Sequence, residues 1–467
     1  MTTSEIVWLR RDLRRHDLPT LAAAAERSGS VAPVFVLDPA FWDTAGAPRR
    51  TWLARTLMAL RDSYEGRLTL RLGDPQALLP EIAGEFGATS VHISTETEPQ
   101  GAARDAAAGT ALRERGVTLV ATGSPYAVTP GRIRRADGEP YQVFTPFSRG
   151  WRDHGWRAPA EEPADLRLAD DRSDPSAWEV VAQAACCDEV QLPEAGEAAA
   201  QERWEWFLDE GLERYGHDRD RPDLDGTSRM SVYLKFGVVH PRTLLADLEA
   251  RTGTGPERYR LELAWREFYA DVLHHHPDSL WQDLRPALTH MRYDEPGAAV
   301  EAWRQGRTGF PIVDAAMRQL LGEGWMHNRL RMVVASFLIK HLHTRWQVGA
   351  DHFLDRLADA DLASNQHGWQ WVAGTGTDAA PYFRVFNPIL QGQKFDPNGD
   401  FVRRWVPELR PIDGAAVHEP WRTALARDLD YPTPIIDLKA ERAEALERLS
   451  EARDARETQP TEHERRS

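Results

Sequence analysis

A change of period along the chain constrains its fold more than any other feature. Up to about residue 125, short apolar runs rich in β-branched residues alternate with helical stretches. The short runs are Ile6–Leu9, Val31–Leu37, Leu68–Leu72, Thr89–Ile93 and Val117–Ala121. Between them lie Leu18–Arg27, Arg49–Tyr64, Pro75–Phe86 and Gly101–Arg115. Strands separated by helices pair in parallel through right-handed crossovers, which places helices on both faces of the sheet. No GxGxxG follows the first run, so that dinucleotide-binding device is absent.

From about residue 197 the spacing is helical almost throughout. Phe310–Leu321 is an example: Pro311 suits a first helical turn, and Ile312, Val313, Ala316 and Leu320 share one face. Met326–His343 continues in the same manner. Residues 126–196, rich in Pro, Gly, Asp and Arg, read as a long, partly ordered linker. Glu441–Ser467 is charged and repetitive, which suits a solvated helix fraying into a disordered tail. The expected class is therefore α/β plus all-α. A Rossmann-like parallel sheet of five strands spans 1–125, a linker 126–196, a helical domain 197–440 and a charged tail 441–467.

Cys186 and Cys187 are adjacent and are the chain's two cysteines. That excludes a disulfide framework and a cysteine-built metal site, and makes the cytoplasm the expected location. No apolar run reaches membrane-spanning length. The formal net charge of −15 argues, on average, against a nucleic-acid partner. A local basic groove is compatible with that average. Of 17 tryptophans, 11 lie beyond residue 200, several among Asn, Gln, His and Arg, so not all of them are simple core residues.

Three segments carry chemistry. Thr227-Ser228-Arg229-Met230-Ser231 places three hydroxyls and several amides at a helix start, suited to a phosphate and equally to a plain N-cap. Gly324–Met332 crowds Asn328, Arg329 and Arg331 with Met326 and Met332 in an apolar helical region, which needs a polar ligand or a salt bridge to Asp359 or Asp361. Asp359–Trp371 combines two acids, amides, a histidine and two indoles, groups that bond and stack around planar heterocycles. The segment shows no carboxylate–histidine spacing for a metal.

At these residues the chain resembles the photolyase/cryptochrome family. The segments TSRMS, ELAWREFY (Glu262–Tyr269), TGFPIVDAAMRQL (Thr308–Leu320), GWMHNRLRM and Asp359–Trp371 follow in matching order, and the likeness runs from Ile6 to about Tyr431. The class I cyclobutane pyrimidine dimer photolyases are the nearest type. The resemblance implies an antenna domain, a helical FAD domain, and light-driven repair by electron transfer from excited reduced FAD to a flipped-out dimer.

By the same resemblance, Tyr215, Thr227, Ser228, Arg229, Met230 and Ser231 are FAD positions. So are Asp359, Ala360 and Asp361, with Arg331 expected to pair with Asp359 and Asn365 to face flavin N5. Glu262, Trp265, Asn328, Met332 and Trp371 match the dimer pocket. Arg219, Arg266, Arg329 and Gln391 match DNA contacts. Trp369 and Trp346 match the inner positions of an electron-transfer series whose outer position is Tyr293, where relatives carry Trp. Trp281 is the alternative end of that series.

Phe35, Leu37, Asp38, Arg49 and Lys235 resemble an 8-hydroxy-5-deazaflavin antenna site. Gly101 stands where folate-binding members carry Glu, which disfavours methenyltetrahydrofolate; an empty pocket is the alternative. Tyr259, Gln366 and His367 are further departures from the family pattern. Damaged DNA is the expected partner, with no membrane and a monomeric state. A cryptochrome-like blue-light receptor is the rival reading. Asn365, Asn328 after His327, and the short tail favour repair of cyclobutane dimers.

Overall fold

The structure, a computed structural model, describes residues 3–378, 384–425 and 427–458. The chain divides into two compact units. The first comprises Met1–Gly216, Thr227–Pro277 and Ala358–Ala363; the second comprises His217–Gly226, Asp278–Leu357 and Ser364–Ser467.

The first unit is built on a parallel sheet. Its strands are β1 (Glu5–Leu9), β2 (Ser30–Leu37), β3 (Thr69–Leu72), β4 (Ser90–Ile93) and β5 (Thr118–Ala121), in the order β3-β2-β1-β4-β5. Each begins within a residue of the apolar run that predicts it. Glu5 pairs with Val31 and Leu9 with Phe35; Ser90 pairs with Thr118. Alternate residues Ile6, Trp8, Val34, Val36, Val91 and Ile93 enter one core with the helices Pro75–Phe86 and Pro99–Glu114. A sixth strand, β6 (Arg167–Leu168), pairs with Ser30 and Val31 of β2. Two residues are too few for a periodicity to announce.

The strand order reverses between β1 and β4. In open α/β sheets, ligands bind beyond the carboxyl ends of the strands at such a point. Here those ends lead into Arg10, Arg11 and Asp12 after β1, and Ser94 and Glu96 after β4. Arg10 donates to the carbonyl of Ser94, and Ser94 Oγ donates to Asp12 at 2.7 Å.

Residues 126–196 contain the helices Phe144–His154 and Pro175–Ala185. The longest helix of the unit, Thr254–His275, is tied to this segment by two buried acids. Glu267 accepts from the amides of Ala127 and Val128 and from Trp151 Nε1 at 2.6 Å. Asp271 accepts from the Gly131 amide at 2.7 Å.

The second unit is helical. Pro311–Glu323 starts with Pro in its first turn and stops at Gly324, whose φ of 58° is the left-handed conformation that ends a helix. Asn328–Lys340, Trp346–Arg356 and Pro388–Phe395 follow the same apolar logic. The charged C-terminal stretch forms the helix Leu438–Thr458. The remainder of the expected tail, 459–467, lies outside the described residues.

Candidate active site

In the first unit, the segment Thr227–Ser231 is a strained turn leading into the helix Ser231–Phe236. Arg229 has φ 55°, a conformation costing a residue with a Cβ about 1 kcal/mol or more. The surroundings enforce it. Arg203 donates to the carbonyls of Ser228 at 3.1 Å and Thr227 at 2.5 Å, and Ser228 Oγ bonds the Tyr259 hydroxyl at 2.9 Å. Tyr215, buried, meets Phe207 and Tyr259 edge-on at 5.4 Å. Tyr259 is therefore part of the wall supporting the turn.

Asp359 and Asp361 are both buried, at 5% and 8% exposure. Two carboxylates so close in sequence and out of water need compensation. Asp361 has it in Arg11, whose Nη2 lies 3.0 Å from Oδ2. Arg11 also meets Glu98 at 2.5 Å and Glu96 at 3.4 Å. Although burial opposes it, these three carboxylates hold the guanidinium firmly charged, and Arg11 in turn helps lower the Glu96 acid. The turn carrying Arg11 is seated by Gly237: its φ is 64°, and a Cβ there would lie 1.9 Å from the Arg11 carbonyl. Sequence reading passed over Arg11, although its place just after β1, at the reversal of strand order, is a signal.

These donors fit a flavin dinucleotide. Hydroxyls at 227, 228 and 231 and the amides of an opening helix suit a pyrophosphate. Buried carboxylates accept from imide N–H groups and ribose hydroxyls.

The helix Thr254–His275 presents Glu262, Trp265 and Arg266 within one turn of each other. Trp265 stacks on Phe144 with ring centroids 3.7 Å apart and planes at 7°, which fixes the indole plane in advance. Arg266 donates to the carbonyls of Pro125 and Leu234, both at 3.1 Å, and lies over Tyr126. Its guanidinium is thus held in place by main-chain carbonyls of the same unit.

The antenna residues also fall in this unit. Phe35 and Leu37 are buried in β2, and Asp38 caps the helix Pro39–Trp42 through the Ala40 amide at 3.0 Å. Arg49 is half-buried. Lys235 lies 3.7 Å from Glu98, and burial lowers its ammonium from the ordinary value. A Cβ on Gly101 would meet Glu96 Cγ at 2.6 Å, so the space beside residue 101 holds the Glu96 side chain.

The second unit carries the aromatic series. Trp369 is buried at 3% exposure, with Phe353 edge-on at 5.0 Å and Trp303 at 6.3 Å. Its ring lies so close to Gly349 that a Cβ there would be 2.1 Å from it; only glycine admits the indole. Trp346 is buried at 2%, and its Nε1 donates to Asp283 at 2.7 Å. Tyr293 is half-buried and packs against Leu288, Met291, Leu449 and Ala452. Trp281, the alternative end, is 44% exposed.

Among the remaining expected residues of this unit, Asn365 donates from Nδ2 to the Ala350 carbonyl at 3.1 Å. Arg331 donates to the Met326 carbonyl at 2.8 Å. Arg329 holds Asp220 at 2.8 Å, packs over Phe395 and approaches Met332 Sδ at 3.6 Å. Arg219 lies 4.0 Å from the same Asp220. Asn328 is exposed; Met332, Trp371 and Gln391 are half-buried. No group of three metal-ligating side chains, and no helix able to cross a membrane, occurs among the described residues.

A parallel α/β sheet, a strained hydroxyl turn with buried carboxylates and a helical unit carrying buried tryptophans suit a nucleotide-binding flavoprotein. Comparison with known proteins makes this specific. Residues 5–172 match the DNA photolyase domain, and residues 259–451 match the FAD binding domain of DNA photolyase. The chain is 41% identical to the deoxyribodipyrimidine photo-lyase of Streptomyces griseus, covering 96% of this chain and 98% of that one. It is 39% identical to the enzyme of the same name from Halobacterium salinarum, with 96% and 99% covered. Among solved structures, a class III photolyase from Agrobacterium tumefaciens matches with TM-score 0.88 and 35% identity over 97% of this chain and 98% of that one. A Synechocystis cryptochrome matches with TM-score 0.86 and 26% identity over 95% and 99%. The chain belongs to the DNA photolyase family.

Proposed function

We propose that this chain is a deoxyribodipyrimidine photo-lyase, splitting cyclobutane pyrimidine dimers in DNA by light. The observation that carries the reading is the pair Glu262 and Trp265, an acid and a pre-stacked indole one turn apart, in a chain that matches photo-lyases over 96% of its length. FAD, when bound and reduced, supplies the light-excited electron donor. The chain's own residues do the rest. In the first unit, Tyr215, Thr227–Ser231 and Asp359–Asp361 bind it. In the second, Arg331 supports its negative charge and Asn365 faces its reacting edge.

Glu262 bonds a thymine carbonyl or imide of the dimer and steadies the charge that develops there. Trp265 of the first unit, and Trp371, Asn328 and Met332 of the second, are the residues assigned to the damaged bases. Arg219, Arg266, Arg329 and Gln391 serve the DNA strand. Arg219 and Arg329 share Asp220, which keeps their guanidinium groups in place at the cost of part of their charge. Trp369, Trp346 and Tyr293 carry an electron inward in light.

Within the family we favour a class I enzyme on the motif pattern. The antenna we favour is 8-hydroxy-5-deazaflavin, held by Phe35, Leu37, Asp38, Arg49 and Lys235. Glu96, lying against Gly101, supports the reading against folate.

The test is repair of a thymine-dimer oligonucleotide after chemical reduction of the protein. Glu262→Ala retains flavin and repairs poorly. Trp265→Ala loses dimer affinity by about 1–3 kcal/mol, the contribution of one stacked base. Parent-like repair and affinity in both variants overturns the pocket.

A further inference from the structure

The two outer members of the aromatic series have unlike electrostatic surroundings. At the inner of the two, a carboxylate is bonded directly to the redox group: Trp346 Nε1 donates to Asp283 Oδ1 at 2.7 Å. At the outer one, the Arg345 guanidinium lies over the Tyr293 ring, 5.0 Å from its centroid. The Tyr293 phenol is pushed up to about 12, by burial first and by the Asp283 charge second. Trp346 is buried, and Tyr293 packs under the helix Leu438–Thr458 through Leu449 and Ala452.

An indole that has lost an electron is a far stronger N–H acid than the neutral ring. A carboxylate already accepting that N–H is then a base at hydrogen-bond distance, the geometry that proton transfer requires. A positive guanidinium over the next ring raises the cost of a second cation there. Asp283 therefore decides in what form the oxidised Trp346 persists.

We propose that Asp283 is the proton acceptor of the light-driven series: as Trp346 gives an electron inward to Trp369, its Nε1 proton crosses to Asp283 Oδ1. One electron leaves the indole, one N–H bond breaks and one O–H bond forms. The products are a neutral indolyl radical and a neutral carboxyl group, with no further reactant. When Trp346 regains an electron from an external reductant, the proton returns along the same bond. The proposal rests on the reading of Trp369, Trp346 and Tyr293 as that series, and it adds a residue outside it.

The experiment is flash excitation of the FAD-loaded protein with oxidised cofactor, following tryptophan-radical absorption in H2O and D2O. The cation and the neutral radical have different spectra, so the readout is chemical form as well as rate. In the parent, the cation converts to the neutral radical with a solvent isotope effect. Asp283→Asn keeps a hydrogen-bond acceptor of the same shape but not the base. Its radical stays a cation, and charge return quickens roughly tenfold, the ratio that about 1.4 kcal/mol of lost stabilisation gives. Asp283→Glu restores the neutral radical.

If Asp283→Asn forms the neutral radical at the parent's rate, the proposal is overturned. Trp346→Phe separates the two levels. In that variant the radical is confined to Trp369 and decays by rapid charge return; a shortened signal there with a parent-like Asp283→Asn removes only the role of Asp283. A signal as long-lived as the parent's removes the series, and the proposal with it.

Discussion

The two compact units hold their functional residues by different means. In the first, Asp361 is kept in place by a buried guanidinium that serves three carboxylates, and the Thr227–Ser231 turn is clamped by Arg203. In the second, Trp369 is held by packing against a glycine, and Trp346 by packing and one hydrogen bond. Charge pairs away from water are all-or-nothing: removing one member leaves the others uncompensated. Apolar packing tolerates near-isosteric change, so substitutions there report on chemistry rather than on folding. The lesson is that one polar change in the first unit disturbs fold and site together, whereas the second lets the two be separated.

The largest expected effect tests the charged half of that contrast. Arg11→Met takes the shared guanidinium from Asp361, Glu96 and Glu98, leaving Glu98 only the more distant Lys235, and costs about 3–5 kcal/mol of stability, with flavin retention falling in step. Urea denaturation and the flavin-to-protein absorbance ratio measure both. A loss below about 1 kcal/mol would mean that water or proton uptake compensates these acids, and the distinction between the units would fail.

A smaller effect concerns two acids in the first unit that have backbone and indole donors in place of a cation. Burial raises Glu267 to about 7 and Asp271 to about 6, from ordinary values of 4.5 and 3.8. The unfolded chain therefore gives up these protons at lower pH than the folded one. Their contribution to stability is fullest below the ordinary values and is lost as pH rises from there through about 6 to 7, by about 3 kcal/mol per group at most. Urea midpoints at pH 5 and pH 7.5 in the parent and in Glu267→Gln isolate the term, since the variant loses the Glu267 share of the slope. Identical slopes would place Glu267 among ordinary ionised carboxylates.

The smallest stability effect is expected in the second unit. Tyr293→Phe keeps the ring that Leu449 and Ala452 cover and shifts stability by under about 0.5 kcal/mol. It nonetheless slows light-driven flavin reduction, while repair after chemical reduction stays normal. Parent-like photoreduction would pass the terminal role to Trp281 or another indole. A large stability loss would blur the contrast from the other side.

Sequence and structure agree best where a signal is local. Each of the five long strands starts within a residue of its apolar run, and the helix Pro75–Phe86 has the bounds read from the sequence. Pro311 and Gly324 mark one helix because proline and glycine act through backbone geometry, which neighbours in sequence suffice to specify. What stayed hidden is pairing over distance. Arg11 and Asp361 are 350 positions apart, and Asp283 and Trp346 are 63 apart. Nothing near either residue in the chain announces its partner. The helices within 126–196 were masked by polar composition, since their buried residues, such as Phe147 and Trp151, are few and face one way. The roles of Trp369, Trp346 and Tyr293 were legible only through resemblance, because a tryptophan in a core looks the same whether or not it carries charge.

The short strand β6 bears on how the chain behaves when crowded. β1 lines one edge of β2 from Val31 onward, but β3 joins the other edge only at Val34. Arg167 and Leu168 occupy the gap beside Ser30 and Val31. An open strand edge flanked by apolar side chains is a template for another chain, and a short charged cover removes it. A proteolytic cut or deletion that releases this dipeptide leaves the rest of the sheet paired while baring main-chain donors and acceptors on β2. Concentration-dependent self-association would then appear while the sheet's own core was still intact.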